Sequence, residues 1–393
     1  MPIIPIHDLW WIAAGGSAGA GARLMKARIE AVLSARRRRS LPDPTGELLR
    51  LQTLHGYNPH SLVSIAPGAQ RWSTPDIDGA IIYGEFGRVW LAAGDPLAAP
   101  EEKAELARQF ATFARLKGRV VAFVPATAEF ANQVAPHHFN AVKVGAAPYF
   151  DLTVWNPRGD CAKKLRAGVN QARRAGVEVR YFDDADEQLR KDTAELCLRW
   201  LGTRRAGTTF GWLIALDPFL HSEYKKYFAA RVDGRLVGFV AASPIPTRKG
   251  WYLEDVISSP DAPPGTATLL VVEALNELKT QGAAVATLGT SPLAPDGAND
   301  LPTNRVIARA LDVAARRLGG FYNFEGLRRF KGKFVPTWWE SEYALAPHGV
   351  AIPPRVGHAI VRALIPGGLT QLLTRQAIRA FAGSNTGRPD ERR

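Results

Sequence analysis

Cysteine is nearly absent from this 393-residue sequence, which has two, Cys161 and Cys197. Two such residues build no disulfide framework, and neither stands in a CxxC pair, so the chain reads as a protein of a reducing cytoplasm. Histidine is sparse as well, eight in all and without an HxxxH spacing. The adjacent His137 and His138 read as solvated surface, and no structural or catalytic metal and no bound cofactor is expected. Long apolar runs are also missing. The stretch LWWIAAGGSAGAGA, Leu9 to Ala22, is rich in glycine and shorter than the ~20 residues a spanning helix needs. No cationic segment precedes it, which speaks against a secretory signal. With Arg36 to Arg39 behind it, docking on a membrane face stays open, and a loosely packed terminus is the favoured expectation.

Acidic residues are in deficit: 37 against 50 Lys and Arg, a formal net charge of +13. Such an excess does not set a fold, but it favours polyanionic partners, nucleic acid or an anionic membrane surface. A basic, Arg-rich proteome gives the same balance. What is present is ordinary for a globular chain, 46% hydrophobic and 22% charged, and the length favours two or three domains.

Residues 1–45 read as a leader that ends in the breaker-rich Arg39 to Glu47. From there an α/β unit follows: a hairpin over Gly79 to Pro96, a helix over Glu101 to Gly118 and a buried strand over Arg119 to Ala126. The helix carries acids in its first turn and aligns Leu106, Phe110 and Phe113 on one face. Next comes a cationic helix whose Lys163, Arg166, Asn170, Arg173 and Arg174 recur at spacings of three and four. A solvated surface and a phosphate or RNA contact are about equally expected for it. A strand follows at Val177 to Phe182, then a hairpin over Lys226 to Pro244 with Asp233-Gly234 at its turn. A strand over Gly250 to Ser258, a helix over Thr266 to Lys279 and a strand over Ala283 to Ala294 complete a second unit. Hairpin, helix and strand thus occur twice in one order, which predicts a structural duplication. An amphipathic helix over Asn304 to Gly320 and a tail of two short amphipathic helices over Val356 to Phe381 close the chain. The tail suits packing back onto the protein or a membrane surface.

The stretch FYNFEGLRRFKGKFVPTW, Phe321 to Trp338, interleaves aromatics with Arg328, Arg329, Lys331 and Lys333. It reads as a strand running into a turn, with Gly326 permitting the bend and the cations forming an anion site. In an extended chain Lys331 and Lys333 would share one face and Arg328 and Phe330 the other.

A meander leading into a strand–helix–strand crossover resembles the acyl-CoA N-acetyltransferase (GNAT) fold. The resemblance implies an α/β (α+β) chain with a tandem duplicated acetyltransferase-like fold and mixed central sheets: residues 46–157 one domain, 158–345 the catalytic one, 346–393 a tail. The pyrophosphate loop of that fold is replaced by SPDAPPGTA, with prolines where free amides are wanted, which speaks against coenzyme A.

LRAGVNQARRAGVEV, GRLVGFVAASP, LGTSPLA and FYNFEGLRRFKGKFVPTWW together resemble the carboxy-terminal catalytic domain of lysyl- and alanyl-phosphatidylglycerol synthases. The resemblance spans roughly residues 50 to 345 and, with no flippase domain in the chain, points to the stand-alone soluble branch. It implies an aminoacyltransferase with an aminoacyl-tRNA as donor and the hydroxyl of phosphatidylglycerol or a related lipid as acceptor. A small-molecule acceptor, or an inactive tRNA- or lipid-binding module, are the alternatives. It implies a cytoplasmic protein, peripheral on an anionic membrane. Asp255, Lys331 and Lys333 are then the catalytic candidates. Glu254, Ser258, Thr290, Ser291, Asn323, Glu325, Arg328 and Arg329 would contact substrate. Lys163, Lys164, Arg166, Asn170, Arg173 and Arg174 would hold the tRNA backbone. The sequence departs from similar ones at two places: Ser258 stands where an arginine is usual, and Thr268 where an acid is common.

Overall fold

The computed structural model describes residues 44–137, 139–202, 217–254, 256–298, 301, 324–348 and 356–357. The leader's residues 1–43, His138, the helix expected over Asn304 to Gly320 and the tail beyond 357 lie outside the described residues.

In chain order the elements are α1 (Pro44–His55), β1 (Gln70–Thr74), β2 (Ile77–Phe86), β3 (Val89–Ala93), α2 (Lys103–Leu116), β4 (Val120–Thr127), α3 (Ala128–Val134) and β5 (Phe139–Asp151). Then come α4 (Lys163–Arg174), β6 (Glu178–Phe182), α5 (Glu187–Gly202), β7 (Lys226–Val232), β8 (Arg235–Ile245), β9 (Gly250–Leu253) and β10 (Ile257–Ser258). The last are α6 (Thr266–Thr280), β11 (Val285–Thr287), β12 (Ser291–Pro292), α7 (Phe324–Gly332) and β13 (Trp338–Pro347). Both expected hairpins form. Gly87 turns the first, and Asp233 and Gly234, both at positive φ, turn the second.

The chain divides into two compact units, each assembled from separated stretches. This differs from the linear boundaries expected from sequence, because β13 leaves the end of the chain to pair with β4 and β5.

One unit, within Ala66–Phe150 and from Leu288 onwards, carries a sheet in the order β1-β2-β3-β4-β13-β5, with β12 on the other edge of β5. All its pairs are antiparallel except β3 with β4, which run parallel across the α2 crossover. Leu106 and Phe110 of α2 are fully buried in a core with Tyr83, Trp90, Phe123, Phe130 and Tyr343. Each such side chain contributes roughly 2–3 kcal/mol of apolar burial.

The other unit includes Asp151–Trp200 and the stretch that ends at Thr287. Its sheet runs β11-β9-β8-β7-β6, again antiparallel except for one parallel pair, β9 with β11, joined through α6. Leu189, Leu196, Tyr227, Phe239 and Ile257 form its core. Meander, helix and parallel strand therefore occur in both units: this is the duplicated acetyltransferase-like arrangement expected. Of the strand expected over Gly250 to Ser258, the described residues form two pieces, β9 and β10, both on β8. The strand expected over Ala283 to Ala294 is likewise broken, at Gly289 with its positive φ.

Candidate functional site

Phe324–Gly332 of the stretch expected as strand and turn form the helix α7 instead, and Gly326 lies inside it. Glu325 in its first turn and Arg329 and Lys331 in its last complement the helix dipole, and Glu325 and Arg329 face each other at 3.5 Å one turn apart. That acid-first, base-last order was the readable signal, and the aromatic content obscured it. The period of the chain decides which cations meet. Arg328 and Lys331, three apart, share a helix face, whereas the expected extended chain would have aligned Lys331 with Lys333.

This face grips the segment after β11. Arg328 makes a two-point ion pair with Asp296, its Nη2 2.8 Å from Oδ1. Arg328 is thus held by the protein itself through two of its nitrogens. Lys331 Nζ donates to the carbonyls of Gly289 at 2.9 Å and Thr290 at 2.7 Å. From β5, Lys143 Nζ donates to the carbonyls of Pro295, Asp296 and Gly297, at 3.1, 2.6 and 3.2 Å. Three cations thus fasten one loop.

Thr290 is held from a second side as well. Its Oγ1 donates to Oε1 of Glu342 on β13 at 3.2 Å. Glu342 is 5% exposed and stands directly opposite Gly145 of β5. A Cβ on Gly145 would lie 2.6 Å from the Ser291 carbonyl oxygen, so the bare glycine lets the 290–292 segment lie against β5. Ser291 is fully buried, and among the described residues neither its Oγ nor Glu342 Oε2 has a hydrogen-bond partner.

Burial sets the electrostatics. It pushes the Lys331 ammonium down to about 7, with Glu342 opposing. It pushes the Glu342 carboxyl up to about 7, against the Thr290 hydrogen bond and the charge of Lys331. Burial thus disfavours the charged form of both groups, lowering the lysine and raising the acid. Lys333, just past the end of α7, is pushed down to about 8 by burial; its ammonium lies 4.1 Å above the Phe330 ring and 5.1 Å from that of Phe334. Glu342 was missed from sequence. Its signal was an acid in a strand otherwise buried from Ser341 to Ala346.

In the other unit, Glu254 is buried and paired. Lys225 pairs with it at 2.8 Å with both side chains buried, and Ser243 Oγ donates to the same oxygen at 2.8 Å. Ser258 sits half-buried in β10 opposite Gly238. Thr268 is 5% exposed and packs against Gly168 of α4. The start of α6, the pyrophosphate position of acetyltransferases, is packed by α4: the Gly168 carbonyl approaches so close that Gly265 tolerates no Cβ. Asp255 and Asn323 lie outside the described residues.

The cationic helix forms as expected, burying Leu165, Val169 and Ala172 and leaving Lys163, Lys164, Arg166, Asn170, Arg173 and Arg174 exposed. Arg173 pairs with Glu273 of α6 at 2.6 Å, and Arg166 donates to the Gly159 carbonyl at 2.7 Å. Among the described residues no group of His, Cys, Asp and Glu is arranged to hold a metal ion, and no helix is long and apolar enough to cross a membrane.

Over residues 50–346 the sequence matches the family described as phosphatidylglycerol lysyltransferase, C-terminal. It is 27% identical over 278 residues to a phosphatidylglycerol lysyltransferase of Bacillus subtilis, covering 67% of this chain and 30% of that protein. It is 26% identical over 307 residues to the lysylphosphatidylglycerol biosynthesis bifunctional protein LysX of Mycobacterium leprae, covering 72% of this chain and 26% of that protein. The chain thus spans about a third or less of the length of these relatives. Among solved structures, the C-terminal domain of a putative lysylphosphatidylglycerol synthetase from Agrobacterium fabrum superposes with a TM-score of 0.69 at 23% identity, over 82% of this chain and 97% of that one. L-PGS from Bacillus licheniformis gives 0.67 at 21% identity, over 82% and 96%. At these identities the structures share the fold.

Proposed function

The chain belongs to the family of phosphatidylglycerol lysyltransferase C-terminal domains, and from that premise we propose that it moves an aminoacyl group from an aminoacyl-tRNA to the hydroxyl of phosphatidylglycerol or a related lipid. The observation that carries this reading is a buried lysine, Lys331, held on the Gly289 and Thr290 carbonyls, with Glu342 on the Thr290 hydroxyl, in a chain that matches the family over 50–346.

The donor ester is already activated, so the protein has little covalent chemistry to do. The acceptor oxygen attacks the ester carbonyl, and its proton leaves as the bond forms. The tetrahedral oxyanion collapses, and the tRNA hydroxyl departs with a proton. Lys331, whose charged form burial disfavours, is the group proposed to exchange that proton. Lys333 supplies the cation for the lipid phosphate or the oxyanion. Asp255 is proposed, on the family resemblance, to hold the donor's α-ammonium. The exposed face of α4, with Lys163, Lys164 and Arg174, suits tRNA phosphates, contacts that carry affinity rather than sequence information. The excess of positive charge suits work at an anionic membrane surface, where the lipid acceptor lies.

The test is incubation with radiolabelled aminoacyl-tRNA and extracted lipid. Label in a new lipid band supports the proposal, and label in a water-soluble product moves the acceptor. tRNA binding without any transfer replaces the enzyme with a binding module. Lys331→Ala is a poor probe, because it leaves Glu342 buried beside a cavity and threatens the fold. Lys331→Met keeps the length of the side chain. It is expected to lower transfer at least ~100-fold with the fold intact by circular dichroism.

A further inference from the structure

The turn Gly289–Ser291 is gripped from two elements at once. Lys331 of α7 takes its two carbonyls, and Glu342 of β13 takes the hydroxyl of Thr290. Thr290 is therefore the bridge between the acid and the base: its carbonyl accepts from the lysine while its hydroxyl donates to the carboxyl. The ammonium has a third hydrogen, and the far oxygen of Glu342 and the hydroxyl of Ser291 are buried without a partner among the described residues. The arrangement has spare polar capacity that plain packing does not require, since buried polar atoms are ordinarily satisfied. An acid placed there only to neutralise the lysine would cost desolvation without need of Thr290.

We propose that Glu342 is a positioning residue: through Thr290 it fixes the place of the Lys331 ammonium and sets whether that group holds its proton. The inference rests on Lys331 taking part in the proposed transfer. The charged groups around Glu342 are Lys331 on α7, Glu340 on its own strand and Asp95 before α2; the two acids raise its pKa and the lysine lowers it.

The stability signature has a definite sign. The Glu342 carboxyl titrates higher folded, about 7, than its ordinary 4.5, so the stability it contributes is full below 4.5 and is lost as pH rises through 7. Lys331 titrates lower folded, about 7, than its ordinary 10.5, so its contribution is present above 10.5 and is lost as pH falls through 7. The pair stabilises least near neutral pH.

Two measurements on the full chain test this. The first follows lysine side chains by NMR through a pH titration, with Lys331→Met identifying the low-titrating signal. In Glu342→Gln that signal is expected to move down by about one unit or more, with the melting temperature no longer falling between pH 5 and 7. Thr290→Val is expected to move it the same way by less, and Glu342→Asp to restore part of the shift. The second measures transfer against pH: Glu342→Gln is expected to shift the acid limb of kcat downward and leave KM within about twofold. A Lys331 titration unchanged in both Glu342→Gln and Thr290→Val overturns the proposal. The NMR arm reads the same whether or not the lipid is the acceptor, so failure of the proposed transfer is told apart from failure of this inference. If Glu342→Gln does not fold, Thr290→Val, which removes no charge, decides by itself: a lowered Lys331 titration supports the proposal and an unchanged one overturns it.

Discussion

Gly145 shows how small a feature carries the site. Its missing side chain lets the Ser291 carbonyl sit 2.6 Å from where a Cβ would be, with Pro292 Cα at 3.2 Å. Both neighbours are backbone, so neither swings aside as a side-chain tip would. Gly145→Ala is accordingly expected to cost about 1–3 kcal/mol. It should also displace Thr290 from Glu342, so transfer falls further than the melting temperature implies. An alanine variant with parental stability and activity would show that the 290–292 segment tolerates displacement. Among the cations, burial and partners separate residues that look alike in the sequence. Arg328 is consumed by Asp296, Arg329 is exposed beside Glu325, and Lys331 is buried. Lys333 lies over two rings.

At the scale of elements, the packing of α4 on α6 accounts for one departure from the sequences this chain resembles. Gly168 lies against Thr268, its would-be Cβ 3.3 Å from the threonine side chain, and its carbonyl lies against Gly265. A small residue on each helix permits that approach, and an acid at 268 does not fit it. Thr268→Glu should destabilise by about 1–3 kcal/mol, read as a drop in melting temperature, because it forces a larger side chain into the close contact with Gly168. A variant that melts with the parent would mean that the helices part at little cost. Helix α7 is the opposite case, an element whose type its sequence pattern disguises. Its aromatics suggest a strand, yet Phe330 in the helix meets Phe334, just past the helix end, edge to face at 5.3 Å.

Over the whole molecule, each unit holds a buried lysine–glutamate arrangement next to a break in a strand. Lys225 and Glu254 lie beside the gap between β9 and β10, and Lys331 and Glu342 beside the turn between β11 and β12. The first is a direct ion pair, tied up by Ser243; the second is bridged by Thr290. The net charge of +13 gives the molecule long-range attraction for polyanions. If α4 carries part of it to tRNA, the triple variant Lys163→Ala, Lys164→Ala, Arg174→Ala weakens tRNA binding at every sequence. It should also lower the slope of log affinity against log salt by about two to three, one for each phosphate no longer neutralised. An unchanged slope would remove the helix from the tRNA interface. All three residues are exposed, so the fold should be indifferent.

The sequence by itself determined the repeated order of hairpin, helix and strand, the cationic face of α4 and the family resemblance, because periodicity, turn residues and motif runs are local properties of the chain. Lys331 was also legible, as part of such a run. Only the tertiary structure decided what that lysine meets. The acid beside it comes from β13, which returns to the sheet of the other end of the chain, and the gap that admits the turn comes from Gly145 on β5. Nothing local in the sequence couples positions 145, 290, 331 and 342. Long-range strand pairing brings them together, and the burial that results moves the two ionisable groups toward neutral pH.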